Sequence, residues 1–138
     1  MSTPDITIRR TITIRIPGNE WWTQNRRGHW RAKYRRTSAV RRRALIAARD
    51  ALNRGSLDTP TAWPVRVIAT IHPLTHGRFD PENAAPMVKA IIDALTAAGV
   101  WPDDDSTHIT GPDYRPGEPS REKGWYAIDI TIIQGEAS

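Results

Sequence analysis

Residues 63–99, WPVRVIATIHPLTHGRFDPENAAPMVKAIIDALTAAG, decide the fold. The first part alternates: Trp63, Val65, Val67, Ala69 and Ile71 are apolar at every second position, the period of a strand with one buried face. A loop, HPLTHGR, follows, and the period then changes. Over residues 84–98, Val88, Ile91, Ile92 and Leu95 recur at helical spacing and form a buried side. Pro86 is tolerated only in the first turn, where its missing N–H has no helical bond to lose. Lys89, Asp93 and Thr96 are spaced four and three apart, so they share one polar face. Gly99 ends the helix, and Trp101-Pro102 starts a turn into Asp103-Asp104-Asp105.

The flanking segments extend this pattern. Toward the N-terminus, residues 6–16 (ITIRRTITIRI) place Ile at 6, 8, 12, 14 and 16, which predicts a half-buried strand ended by Pro17-Gly18. Arg10 interrupts its apolar face, so a bulge or a break is expected there. Residues 19–34 have no clean period and read as a long loop. Its basic aromatic character persists to Arg36. A helix is predicted from Thr37 or Ser38 to Asn53, with a stripe of Val40, Ala44, Ala47 or Ala48, and Ala51 or Leu52. Either hydroxyl suits the N-cap, and Gly55 supplies the stop. Beyond the second helix, a short strand is expected at 107–110. Residues 111–124, rich in Gly and Pro, are expected to form a flexible loop. Tyr126, Ile128, Ile130 and Ile132 mark a last strand. The order β-α-β-α-β-β predicts an α+β fold, a small mixed sheet with two helices packed on one face. A length of 138 residues suits one such domain spanning 1–138.

Composition excludes several classes. No apolar run approaches the roughly 20 residues needed to cross a bilayer, so no membrane partner is expected. The N-terminal MSTPDITIRR lacks the apolar stretch of a signal peptide, and an intracellular protein is expected. The absence of cysteine rules out disulfides, thiolate zinc sites and a cysteine nucleophile. The charge is unevenly spread. Residues 1–54 carry 14 Lys/Arg against Asp5, Glu20 and Asp50, a net of +11, while residues 80–105 carry Lys89 against six acids, a net of −5. The basic part suits a polyanion, most simply nucleic acid. A dense acidic patch repels the same polyanion unless a divalent cation neutralises it. Because 17 of the 20 basic residues are Arg, a GC-rich genome alone explains the choice of Arg, and the clustering carries the argument instead.

The acidic residues fall in two groups. If Asp80-Pro81-Glu82 is an extended lead-in to the second helix, residues 80 and 82 point the same way and their carboxylates converge. Two hard oxygen donors at one point suit Mg²⁺ or Mn²⁺. One carboxylate of Asp103 to Asp105 completes such a site if the chain folds back. The plainer alternative is that Asp80 or Asn83 only caps the helix, that the Asp triplet is a solvated turn, and that Lys89 with Asp93 is an ordinary i,i+4 pair. His72, His76 and His108 flank the region and are expected to be structural or exposed, since Mg²⁺ prefers oxygen.

The stretch FDPENAAPMVKAIIDALTAAGVWPDDDSTHI, residues 79–109, resembles the RusA-like Holliday-junction resolvases. Their pattern is an acidic pair followed by Asn, a lysine, a D-A-L helix, an A-G-hydrophobic-W turn and a D-D pair. Asp80, Glu82 and Asn83 fall on the first motif, Lys89 on the lysine before Asp93-Ala94-Leu95, Trp101 on the turn and Asp104 on the second Asp. The resemblance implies a dimeric, Mg²⁺-dependent endonuclease that nicks four-way DNA junctions in the cytoplasm of a bacterial or phage-infected cell. Asp80, Glu82 and Asp104 then bind metal, and Lys89 is the fourth catalytic residue. Glu82 stands where the better-known members have Asp, and residues 84–88 are three longer than the equivalent segment. Carboxylates beside Lys89 stabilise its charged form, which assigns it to phosphate charge rather than to proton abstraction.

Residues 21–36, WWTQNRRGHWRAKYRR, interleave aromatics with cations. Cations contact phosphates and aromatic faces stack on exposed bases. One of Trp21 and Trp22 is expected to seal the core. Arg26, Arg27, His29, Trp30, Arg31, Lys33, Arg35 and Arg36 are the expected DNA contacts, reading shape and backbone rather than sequence. The rival expectations are the same chemistry on flaps or forks, and a DNA-binding protein with no catalysis.

Overall fold

A computed structural model describes residues 7–135. The elements run β1 (Ile8–Pro17), α1 (Trp30–Arg54), β2 (Val65–His72), α2 (Ala85–Ala97), β3 (Ile109–Pro116) and β4 (Trp125–Gln134), with 3₁₀ turns at Gly18–Glu20 and Pro81–Ala84. The fold is α+β. Its four strands form one mixed sheet in the order β1-β4-β2-β3, with β4 antiparallel to both β1 and β2 and with β2 and β3 parallel. A parallel pair needs a long crossover, and here that crossover contains α2. No helix among the described residues is long and apolar enough to cross a membrane.

Alternation along the strands builds the core. Ile12, Ile14 and Ile16 of β1, Val65, Val67, Ala69 and Ile71 of β2, and Ile128, Ile130 and Ile132 of β4 join one buried cluster. Val40, Ala44 and Ala48 of α1 and Val88, Ile91 and Leu95 of α2 complete it. Met87, Ala90 and Ala94 are buried as well, so α2 is enclosed on more sides than one apolar stripe implies. Small residues on both helices let them pack closely.

Four expectations need correction. First, α1 begins at Trp30 rather than at Thr37 or Ser38, so residues 30–36 of the expected loop are helical. His29 caps it, its Nδ1 accepting the Arg31 N–H at 3.1 Å. Arg, Lys and Ala are good helix formers, but these first turns pack on little, so they leave no apolar period. Second, the β1–β4 register runs unbroken from Ile8↔Gln134 to Pro17↔Trp125, with no bulge at Arg10. Arg10 sits toward the strand's start and reaches Asp58 at 3.4 Å, keeping its charge at the surface. Ile6 lies outside the described residues. Third, residues 111–116 of the expected flexible loop belong to β3. Pro112 is tolerated because β3 is an edge strand. Gly111 is required: its φ is +107°, and a Cβ there comes within 2.6 Å of the Val67 carbonyl oxygen. Pairing with β2, some 45 residues earlier, decides this strand, and no local period announces it. Fourth, residues 81–84 form a 3₁₀ turn before α2 and not an extended lead-in.

Candidate active site and nucleic-acid interface

Where α2, the Asp103–Asp105 turn and the edge strand β3 meet, a cavity of about 320 Å³ is lined by Val88, Lys89, Ile92, Asp104, Ile109 and Tyr114, among others. Its polar groups come from three elements. Lys89 stands on α2, Asp104 lies in the turn, and Tyr114 projects from β3. Burial raises the Tyr114 pKa above the usual phenol range, and the negative charge of Glu82 raises it further. Glu82 therefore bears electrostatically on the same cavity.

The three consecutive aspartates divide their tasks. Asp103 Oδ1 accepts the Asp104 N–H at 2.8 Å. Asp105 Oδ1 accepts the Thr107 and His108 N–H groups, each at 3.2 Å, and meets His108 Nδ1 at 2.6 Å. That hydrogen bond from His108 is the main reason the Asp105 pKa lies below the usual carboxylate value. Only the Asp104 carboxylate has no protein partner among the described residues, and it is the one that lines the cavity. Two of the three carboxylates are thus spent on shaping the turn that presents the third.

Asp80 and Glu82 do not converge as an extended segment requires. Asp80 is extended (φ −97°, ψ 112°), but Pro81 starts the 3₁₀ turn and Asp80 Oδ1 caps it, accepting the Glu82 N–H at 3.0 Å. A 3₁₀ turn rotates each residue by about 120°, so positions two apart point to different sides. Asp80 lines a separate cavity of about 440 Å³ with Trp21, His76, Asn83 and Tyr126, whereas Glu82 acts on Tyr114. Among the described residues, no three Asp, Glu or His side chains meet closely enough to hold a metal ion. The donor chemistry fits Mg²⁺ in its open mode, in which one or two carboxylates, several waters and substrate phosphates share the coordination. Asp104 lines the cavity with Tyr114, and the charge of Glu82 reaches the same phenol. Asp80 Oδ2 has no protein partner among the described residues.

Lys89 Nζ lies 3.8 Å from Asp93, an i,i+4 pair on an exposed face. His72 is structural: Nε2 meets Asp129 Oδ2 at 2.8 Å and Nδ1 meets the Glu118 carbonyl at 2.7 Å. His108 braces the Asp turn, and His76 is exposed.

The basic segment is tied to the acidic turn through Asn83. The Asn83 carbonyl accepts the Gln24 N–H at 2.9 Å, and its Oδ1 accepts from Gln24 Nε2 at 3.3 Å and from Asn25 Nδ2 at 3.0 Å. A residue read as a motif member or a cap is thus the joint between the two charged regions. Replacing Asn83 by alanine removes two side-chain hydrogen bonds and is expected to cost about 1 kcal/mol. Amide exchange over residues 23–29 should rise at unchanged global fold, and unchanged protection there would show that Asn83 is not the joint.

Both Trp21 and Trp22 are buried, so two tryptophans seal this edge where one was expected. Trp21 stacks on Tyr126 with ring centroids 3.9 Å apart. Arg26 lies 4.5 Å over Trp22 and donates to the Trp21 carbonyl, and Arg36 donates to the same carbonyl at 3.1 Å. These two arginines and the His29 cap therefore have structural partners that their place in the DNA-contact set did not anticipate. Arg27, Arg31, Lys33 and Arg35 are exposed, without a carboxylate partner among the described residues. Trp30 and Tyr34, one helical turn apart on α1, are 67% and 66% exposed. Tyr114, which lines the cavity with Lys89 and Asp104, was not among the expected site residues. For Tyr114 the sequence holds no local signal, because its strand exists only through long-range pairing.

No protein-family model matches the sequence, and no curated protein matches it.

Proposed function

We propose that the protein is a Mg²⁺-dependent, structure-selective endonuclease of branched DNA, with the four-way junction as its leading substrate. One observation carries the reading: Lys89 and Asp104, fifteen residues apart in the chain, line one cavity beside Tyr114 and the charge of Glu82, next to a segment of exposed cations that have no carboxylate partner among the described residues. A cation and an acid lining one cavity at the border of a basic surface suit phosphodiester hydrolysis. The basic surface brings the strand in, and the acids supply hard oxygen donors.

In this reading Asp80, Glu82 and Asp104 are the carboxylates that would hold Mg²⁺, which would supply Lewis-acid stabilisation at the scissile phosphate when bound. The Lys89 ammonium contacts a phosphate oxygen and offsets charge that develops on the leaving oxygen. Arg27, Arg31, Lys33 and Arg35 hold the flanking backbone, and exposed Trp30 offers a stacking face. Symmetric nicks across a junction need two sites, which makes a homodimer part of the proposal. The resemblance over residues 79–109 supports the same substrate.

The test compares a four-way junction with linear duplex of the same sequence, in Mg²⁺ and in EDTA. The wild-type protein is expected to nick the junction in Mg²⁺ alone. Asp80→Asn isolates charge from capping, because Asn caps a helix about as well as Asp. It should keep the fold, hold the junction as tightly or more tightly, and lose cutting. Normal cutting by this variant removes Asp80 from the site. Binding without cutting of any branched DNA by the wild-type protein would leave a plain DNA-binding protein.

A further inference from the structure

The outward face of α1 carries a row of arginines away from the acidic cavity. At about 100° per residue, Arg31, Arg35, Arg42 and Arg49 fall within roughly 40° of one line along the helix, on the far side from buried Val40, Ala44 and Ala48. All four are exposed. From Arg31 to Arg49 the row runs about 27 Å at 1.5 Å per residue. Tyr34 and Arg41, which line the space between α1 and α2, stand roughly a quarter-turn round the helix from it.

This face differs from an ordinary solvated helix surface. The 25 residues of α1 hold nine Lys/Arg and one acid, Asp50, which Arg54 already meets at 3.1 Å. Arginines on the other sides of the helix have partners in the fold: Arg43 Nη2 donates to Glu20 Oε1 at 3.0 Å, and Arg36 donates to the Trp21 carbonyl at 3.1 Å. In the row, the guanidinium groups of Arg35, Arg42 and Arg49 have no hydrogen bond or ion pair among the described residues, and that of Arg31 lies 5.5 Å over the Trp30 ring. Like charges four residues apart repel, and cations in a first turn with no acid oppose the helix dipole. The row therefore destabilises the helix that carries it, and a bound polyanion offsets both terms.

The shape of the row narrows the polyanion. A straight row on a rigid helix suits a rigid partner, and 27 Å is the axial length of about eight base pairs of duplex. Guanidinium forks match phosphate oxygens. A single strand is held instead by aromatic platforms interleaved with cations, and no aromatic residue lies in this row. A membrane surface calls for a broad apolar face beside the cations, whereas Ile46 is the one large apolar side chain exposed next to the row among the described residues.

We infer that the row from Arg31 to Arg49 docks the sugar-phosphate backbone of duplex DNA, an arm of the branched substrate. This rests on the DNA reading above and extends it: Arg42 and Arg49 join the cations at the start of α1, and the strands they hold are paired. Contacts to phosphate carry no sequence information, so the docking is independent of sequence.

The test is fluorescence anisotropy with an end-labelled linear duplex across a range of KCl in EDTA, where no cutting enters the measurement. Arg42→Gln combined with Arg49→Gln should lower the slope of log Kd against log salt by about 2, one for each lost phosphate contact, and equally on two duplexes of different sequence. Gln is a good helix former, so the variant keeps its fold, which circular dichroism checks. Arg10→Gln combined with Arg54→Gln removes the same net charge from arginines that Asp58 and Asp50 hold outside the row, and it should keep the wild-type slope. An unchanged slope in the row variant, or an equal fall in the control, would overturn the inference. So would a row variant that loses binding to phosphatidylserine vesicles while holding the duplex as the wild type does, or one that weakens oligo(dT) more than the duplex. If the row variant shows the fall but the wild-type protein cuts no junction, the docking surface stands and the nuclease reading fails. If the wild-type protein cuts the junction and the row variant keeps its slope, the nuclease reading stands and the docking surface fails.

Discussion

Replacing Lys89 by alanine is expected, on the proposed function, to leave the protein folded and slow the cutting of a four-way junction by on the order of 10²–10³-fold, the cost of removing one charge-stabilising donor from a reacting oxyanion. The folded state should hardly notice. The Lys89 side chain is 77% exposed, and its only ion pair among the described residues is to Asp93 at 3.8 Å, one helical turn away. Such a pair is worth about 0.3–0.5 kcal/mol. The effect on cutting therefore cannot come from unfolding. Nor should it come mainly from lost affinity, because several other exposed cations share the backbone contacts in the proposed reading. Single-turnover cutting with protein in excess separates the two, since binding is then saturated and only the chemical step is timed. Lys89→Arg should recover part of the rate, because it keeps the charge while spreading it over a planar group. Cutting by Lys89→Ala within about twofold of the wild-type rate would remove Lys89 from the mechanism, and with it the cavity that it shares with Asp104.

Trp101→Ala is expected to cost about 3–5 kcal/mol, the range for deleting a fully buried aromatic side chain. Trp101 is 1% exposed and belongs to the core cluster. Its Nε1–H donates to Thr96 Oγ1 at 2.7 Å, and Thr96 Oγ1 in turn donates to the Ile92 carbonyl at 3.0 Å. The indole thus closes the last turn of α2 and directs the chain into the aspartate turn. The alanine variant loses both the packing and this hydrogen bond. Trp101→Phe keeps most of the packing and should cost roughly 1 kcal/mol for the hydrogen bond alone. Urea denaturation of the two variants beside the wild-type protein measures both terms. A Trp101→Ala cost under about 1 kcal/mol would mean that the indole is not a core element. Because Asp104 lies three residues further on, the same variant is also expected to weaken cutting at temperatures where it remains folded.

Residues 63–99 illustrate what the amino-acid order determines unaided. Strand and helix are legible there because each buries one face, and burial imposes a period of two on Val65, Val67, Ala69 and Ile71 and a period near 3.6 on Val88, Ile91 and Leu95. The same logic found β1, β4 and the buried part of α1, and the uneven charge marked an acidic and a basic region without any coordinates. Periodicity is silent where an element has no apolar face. The first two turns of α1 carry Trp30, Arg31, Lys33, Tyr34 and Arg35 into solvent, so a real helix looked like a loop.

Tertiary structure alone decided the rest, because it depends on contacts between residues far apart in the chain. β3 exists through pairing with β2, and that pairing puts Tyr114 beside Lys89 and Asp104. Which aspartate of the triplet is available follows from hydrogen bonds that occupy Asp103 and Asp105, and spacing cannot reveal such partners. The 3₁₀ turn at Pro81–Ala84 separates Asp80 from Glu82, although the sequence places them two residues apart. Local order in the chain dictates which faces are buried, and only the folded chain dictates which charges meet.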